Sequence, residues 1–213
     1  MIVDVIMQFS LMFCFGFLTT TTEFQLLDYG VKRSEVGYWY SIWTSGYLIS
    51  CTIVARINDK FSKSRLMIVG IFGMSLAFIF LGPCPIIFPE ILGLTGMGLA
   101  LVGLSAGFLY VPTVPHIMES LQFCYCVEID DRVHDAMSAL TNISLCLGEI
   151  LGPISSSVLY DQIGYGYATS LVACLLFTYG VAYIFISDPI KYGQVDNVSM
   201  LQLNKEGLAP NKH

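Results

Sequence analysis

Six apolar runs dominate this chain of 213 residues, at about 3 to 22, 36 to 56, 66 to 87, 91 to 118, 136 to 160 and 167 to 187. Each has roughly 20 residues or more, the length an α-helix needs to cross the hydrocarbon core of a bilayer. Inside lipid no water is available to backbone N–H and C=O groups, so only helices and closed barrels can span. None of the runs alternates apolar and polar residues as barrel strands do, which leaves an all-α membrane protein of six transmembrane helices. With 55% hydrophobic and 12% charged residues, the composition excludes an ordinary water-soluble domain. A net charge of −6 leaves no basic footprint for nucleic acid, and none is expected as a partner.

The first run starts at Met1 with no basic leader, carries Asp4 and exceeds the length of a signal-peptide core, so it reads as a true span. So abrupt an entry into the membrane points to a truncated chain. The seven cysteines form no disulfide framework and read as small buried hydrophobes; Cys124 and Cys126 lack the further ligands of a zinc site. No metal or cofactor is expected.

Arg56, Lys60, Lys63, Arg65, Arg132, Lys191, Lys205 and Lys212 would fall on one side of the membrane, against Lys32 and Arg33 on the other. That imbalance places both termini in the cytosol. Residues 1–187 then form the bundle, and residues 188–213 a cytoplasmic tail expected to be disordered. The sequons at Asn142 and Asn197 would be buried and cytoplasmic respectively, so neither should carry sugar. Glu128, Asp130, Asp131, Arg132, His134 and Asp135 make an acidic, solvated cytoplasmic loop.

The fifth run places a carboxylate where lipid would be. Ser138, Asn142, Cys146, Glu149, Pro153 and Ser156 recur at helical spacing on one face, with Leu140, Leu147, Leu151 and Val158 mostly elsewhere. Pro153 cannot donate to the carbonyl of Glu149, which frees that oxygen at the depth of the Glu149 side chain. An ionisable residue inside a membrane is costly, and a functional site is the default reading of one. The alternative is a neutral Glu149 hydrogen-bonded to a neighbouring helix.

In the fourth run Gly96, Ala100, Gly103 and Gly107 form a small-residue ridge suited to close helix packing. Beyond it Pro112 and Pro115 would loosen the helix into a hinge, and His116 reads as an interfacial histidine. The second run ends Ala55 to Ser62 and the fifth Ser157 to Gly164, each as small residue, three residues, Asp, polar, apolar, small. With three spans between them, these copies would end helices on opposite sides, which predicts two inverted three-helix repeats.

These residues resemble a known family. Gly148 to Ser157, followed by Tyr160, Asp161, Gln162, Ile163, Gly164 and Tyr165, is similar to the glycine-proline helix and following loop of major facilitator transporters. Ala55 to Arg65, with Asp59, Lys60, Lys63 and Arg65, resembles the loop signature of that superfamily. Gly103 to Ser120, with Cys146 to Gly148 and the pair Gly152 and Pro153, is most similar to the vesicular amine transporters, in their carboxy-terminal six-helix half. Tyr110 and Asn142 stand where the monoamine carriers have acidic residues, and Glu23 resembles an acidic residue of the polyamine-type branch.

The resemblance implies one half of a major facilitator fold, acting in secondary transport of a small cationic amine or polyamine by proton antiport. The expected solute or proton path takes in Glu149, Asn142, Tyr110, Glu23 and Tyr38, with Trp39 and Trp43 as further cation–π candidates. Glu23 would otherwise lie in the headgroup region. Asp59, Lys60, Arg65, Gly152, Pro153 and Asp161 are the expected gating or conformational residues, the charged ones otherwise being solvated topogenic charge. Alternating access rocks two six-helix bundles around one site. A second six-helix half or a homodimer is therefore an expected partner, beside the lipid bilayer, the solute and protons. The contrasting reading is a membrane scaffold or accessory subunit that carries nothing. No HExxH, GxSxG or P-loop pattern occurs, and an enzyme is not expected.

Overall fold

The computed structural model describes residues 2–58, 61–82, 92–124 and 130–205, with side chains described for all of these except 123–124 and 187–205. The described residues form six helices and no strand: α1 (Ile2–Asp28), α2 (Val36–Ile57), α3 (Lys63–Leu81), α4 (Leu92–Cys124), α5 (Asp131–Ile163) and α6 (Tyr165–Lys205). The apolar part of α6 is Tyr165–Ile186, close to the sixth run of the sequence.

Five of these helices are long and apolar enough to cross a bilayer: α1, α3, α4, α5 and α6. The expected count was six. The exception is α2, whose 22 residues reach about 33 Å but include Tyr38, Ser41, Thr44, Ser45, Ser50, Thr52 and Arg56. Those residues dilute its apolar content below that of the other five.

The core explains how α2 is held. The buried apolar cluster comes from α1 (Met7, Leu11, Phe17), α3 (Met67, Ile71, Met74, Phe78), α4 (Leu99, Val102, Leu109) and α6 (Val172, Leu176, Tyr183). Neither α2 nor α5 contributes a buried residue to it. Instead α5 lies along α1 and α2 along α4, in each case over glycine. A Cβ on Gly148 would sit 2.5 Å from the Phe9 carbonyl oxygen, and one on Gly152 would sit 2.6 Å from that of Phe13. On the other pair, Gly103 of α4 closes on Tyr47 N and Gly46 of α2 closes on the Ala100 carbonyl. Where apolar side chains face equally apolar lipid, such close backbone approach supplies the dispersion contact that holds a helix in place.

The helices α5 and α6 meet at Gly164 alone, with φ +80°, a conformation that side chains with a Cβ rarely adopt. Its N–H donates to Tyr160 O and its carbonyl accepts from Ala168 N, so the sharp reversal keeps its backbone bonded. Pro112 and Pro115 lie within α4, whose helix continues through both.

Candidate functional site

The α5 helix exposes one polar strip beside its packed face. Ser144, Gly148, Gly152 and Ser156 are buried, at a spacing of four. Ser138, Asn142, Cys146 and Glu149 are exposed on the next sector round, and Ile143, Leu147, Ile150 and Ile154 on the sector beyond. Glu149 makes no hydrogen bond or ion pair among the described residues, and Asn142 precedes it by two turns, about 10 Å along the axis.

The lower part of the expected stripe turns inward. Ser156 is buried and Pro153 is half-buried, its Cδ 2.7 Å from where a Cβ on Gly16 of α1 would lie. The carbonyl of Glu149, which Pro153 cannot serve, is 3.1 Å from that same position. Thus the freed oxygen faces bare α1 backbone.

The second group of expected residues lies between α1, α2 and α4. Phe15 and Trp43 have ring centroids 4.9 Å apart, Phe15 and Tyr47 6.4 Å, and Tyr47 and Tyr110 6.3 Å. Tyr40 extends this aromatic row from Trp43, at 6.3 Å, and its hydroxyl donates to Thr19 O at 2.5 Å. Glu23 follows Thr19 by one turn and pairs with Arg33 at 3.7 Å, the two side chains being 41% and 80% exposed. The row therefore runs from Tyr110 to the end of the bundle where Glu23 sits. Trp39 packs on Gly96 instead, and Tyr38 stands apart at 74% exposed.

Thr19 and Thr20 donate to Gly16 O and Thr21 to Phe17 O, so these hydroxyls are satisfied within α1. Arg65 and Asp161 are both exposed, at opposite ends of the bundle. Asp59 and Lys60 lie outside the described residues. Among the described residues no cluster of His, Cys, Asp and Glu could hold a metal ion.

One constellation was not expected from the sequence. Asp4, at 2% exposed, lies 3.1 Å through Oδ1 from His116 Nδ1, whose other ring nitrogen is 2.9 Å from Ser64 Oγ. Tyr183 OH also donates to Asp4 Oδ1, at 3.2 Å, and Tyr179 OH to Val3 O at 2.6 Å. Next to it Lys63 forms an ion pair with Glu119. His116, at the end of the bundle beside that pair, is part of a packed junction of α1, α3, α4 and α6. The signal that finds it is the one that singles out Glu149, a carboxylate inside an apolar run, and Asp4 carries that signal as well.

Residues 5–205 match the profile of the Major Facilitator Superfamily. Among curated proteins the chain is similar to the MFS-type transporter SLC18B1 of Rattus norvegicus, with 26% identity over 95% of this chain and 46% of the relative. The SLC18B1 protein of Homo sapiens matches at 26% with the same coverage, and that of Mus musculus at 27% over 76% of this chain and 36% of the relative. The chain spans about half the length of the curated relatives it matches.

Proposed function

Because the chain belongs to the major facilitator superfamily, we propose that it is a six-helix half of a secondary transporter for a small organic cation, an amine or polyamine exchanged for protons. As an integral multi-pass protein it contacts the lipid bilayer, and in this reading α2 crosses with the other five helices. The relatives carrying the transporter name support the class of activity.

One observation carries the reading: Glu149 is exposed and unpaired among the described residues, on a helix of span length. A charged side chain at the centre of a membrane helix costs about 2.5 to 3.5 kcal/mol for insertion. Its strip adjoins the face seated on α1, so a polar surrounding there, a wet cavity or a second bundle, removes the penalty while the outer apolar sector meets lipid. A second six-helix half or another copy of the chain is the partner of that description. The polar outer side of α2, with Tyr38, Ser41, Ser45 and Thr52 exposed, supports the same closure.

In this reading Glu149 attracts the cation and exchanges it for a proton. Coulomb attraction at contact distance is about 4 kcal/mol at an effective dielectric near 20. Asn142 and Tyr38 line the approach, Tyr110 and its aromatic row offer cation–π faces worth roughly 0.5 to 2 kcal/mol, and Glu23 guards the far end. Gly152 and Pro153 form the contact on which α5 moves against α1, while Asp59, Lys60, Arg65 and Asp161 bias the two end states. Pairing of α1 with α5 and of α4 with α2 supports two inverted three-helix repeats. The basic residues support cytoplasmic termini, with residues 188–213 as a tail.

Proteoliposomes holding the chain test this, with radiolabelled spermidine and monoamines outside and a pH gradient imposed. Uptake in the wild type that disappears in Glu149→Gln, with membrane insertion unchanged, is the expected result. Uptake indifferent to that substitution sinks the assignment of Glu149. Absence of uptake in every variant, both for the chain alone and with a separate six-helix half reconstituted beside it, favours the scaffold.

A further inference from the structure

On the side of α5 away from Glu149 the helices do not close on each other. At 3.6 residues per turn Leu151, Ser155 and Val158 lie between about 120° and 180° around the helix from Glu149. With Ile154 they wall a cavity of about 500 Å³ that reaches Phe13 of α1. A second cavity, of about 290 Å³, lies between α1 and α6, with Val172, Leu175 and Leu176 on its wall and Phe9, Phe13 and Cys14 on its floor. Phe13 lines both. The two are therefore neighbouring parts of one crevice, with α1 as its floor and α5 and α6 as its sides.

Depth and chemistry narrow what enters it. Ile154 comes ten residues before the Gly164 turn and Leu175 eleven after it, so both walls stand about 15 Å from that end, half the thickness of a hydrocarbon core. The hydroxyls along the crevice are already committed. Ser10 Oγ donates to Ile6 O at 2.8 Å, Ser155 Oγ to Leu151 O at 2.8 Å and Tyr179 OH to Val3 O at 2.6 Å. A polar solute would find no free hydroxyl donor here, and a hydrocarbon strands none.

A further helix fits poorly as well, being about 10 to 12 Å across with its side chains. Where helices of this chain do close on each other, glycine stands on both sides: Gly16 against Gly148 and Gly152 in one seam, Gly46 against Gly103 in the other. No glycine lines the crevice. Its rim is bulky and exposed at Leu151, Ile154, Val158 and Leu175, over buried Cys14, Val172 and Leu176. A flexible run of methylenes follows so uneven a surface, and supplies the dispersion contacts that the lining would otherwise forfeit.

We propose that this crevice binds one acyl chain of a membrane phospholipid, laid along α1 between α5 and α6. Phe13 ties the site to the seam of α5 on α1, since its carbonyl oxygen is the atom 2.6 Å from a Cβ on Gly152. The bound chain buttresses α5 from the side opposite Glu149 and leaves the acidic strip clear. The inference rests on the fold and not on transport, so it holds whether or not the protein carries a solute.

The test places the full chain in nanodiscs of a phospholipid with a photoactivatable diazirine midway along one acyl chain, and maps the adducts by mass spectrometry. Val69 and Leu76 of α3 are the reference, as exposed as the crevice rim but outside it. Phe13, Ile154 and Leu175 are expected to carry several-fold more adduct than these two. Ser155→Trp fills the crevice from α5 and should bring them down to the reference, while Ser157→Trp, exposed and outside the lining, should leave the excess in place. Equal labelling of crevice and reference in the wild type identifies ordinary boundary lipid and overturns the proposal. Labelling below the reference means that protein covers the crevice, and an excess given by a sterol diazirine but not by the phospholipid assigns a rigid ring system; either result overturns it too. Should Ser155→Trp not fold, lipid retention decides: the wild type is expected to keep phospholipid through exchange into a mild detergent, and loss of all lipid overturns the proposal.

Discussion

Gly16 of α1 and Pro153 of α5 touch, with 2.7 Å between Pro153 Cδ and the place a Cβ on Gly16 would occupy. This contact joins the two facts that matter most about α5. Proline removes the donor for the Glu149 carbonyl, and glycine lets α1 come close enough to cover that oxygen. A helix that carries an exposed acid is thereby fixed to the core by its backbone, with its other sides free.

The packing of α5 on α1 is expected to fail at Gly152. A Cβ there would lie 2.6 Å from Phe13 O and 2.8 Å from Phe17 N, backbone atoms that cannot swing aside. Gly152→Ala should cost about 1 to 3 kcal/mol, read from denaturant unfolding in detergent micelles. Gly37→Ala is the control, since nothing lies within 4 Å of its Cβ position, and it should leave stability equal or slightly raised.

The seat of α2 on α4 gives a coupled pair. Ser50 Oγ donates to Gly103 O at 3.1 Å, and a Cβ on Gly107 would collide with that same oxygen as well as lying 2.8 Å from Cys51 N. Gly107→Ala should be destabilising on its own, and Ser50→Ala by about 0.6 kcal/mol, the typical worth of an interhelical hydrogen bond in a membrane. Together they should cost less than the sum, because the alanine removes the oxygen that the new methyl strikes. A double-mutant cycle measures the difference, and strict additivity would mean that α2 and α4 separate before the clash is felt.

The membrane class and the helical elements were legible because lipid leaves a chain few choices: long apolar runs must be helices. Five of the six runs form helices long and apolar enough to span, and Gly103, Gly107, Gly148 and Gly152 lie at close helix contacts, as small residues at regular spacing suggest. What the pattern could not convey was which faces meet. The stripe through Ser138, Glu149 and Ser156 divides because helix contacts spaced by four residues drift around a helix of 3.6 residues per turn, carrying Ser156 into the α1 interface and leaving Glu149 outside. The pairing of Asp4 with His116 was hidden for a different reason. They are 112 residues apart, and only tertiary packing joins them.

Glu23 can be separated from its salt bridge. Its pair with Arg33 is long, at 3.7 Å, and mostly exposed, so screening leaves it little to contribute. Arg33→Ala should change unfolding stability by less than about 0.5 kcal/mol. If Glu23 serves the solute, Glu23→Gln lowers uptake in the proteoliposome assay while Arg33→Ala does not. Equal loss in both variants would assign the effect to the ion pair.

The helix α2 poses the last question, since its own composition is too polar to promise a span. Its buried residues are Val36, Gly46, Ser50 and Val54, and the face they form is seated on α4 over Gly103 and Gly107. Insertion of α2 should therefore depend on α4. In a cysteine-free background, single cysteines at Ser34 and Ser62 flank the helix, and a membrane-impermeant maleimide should reach them from opposite sides when α2 crosses. Gly46→Leu places bulk against the Ala100 carbonyl, 3.0 Å from its Cβ position, and Gly103→Leu does the same toward Tyr47 N. Either substitution should raise the fraction of molecules labelled at both positions from one side. If the labelling stays opposite in both variants, α2 crosses on its own hydrophobicity, and its glycine contacts serve packing rather than topology.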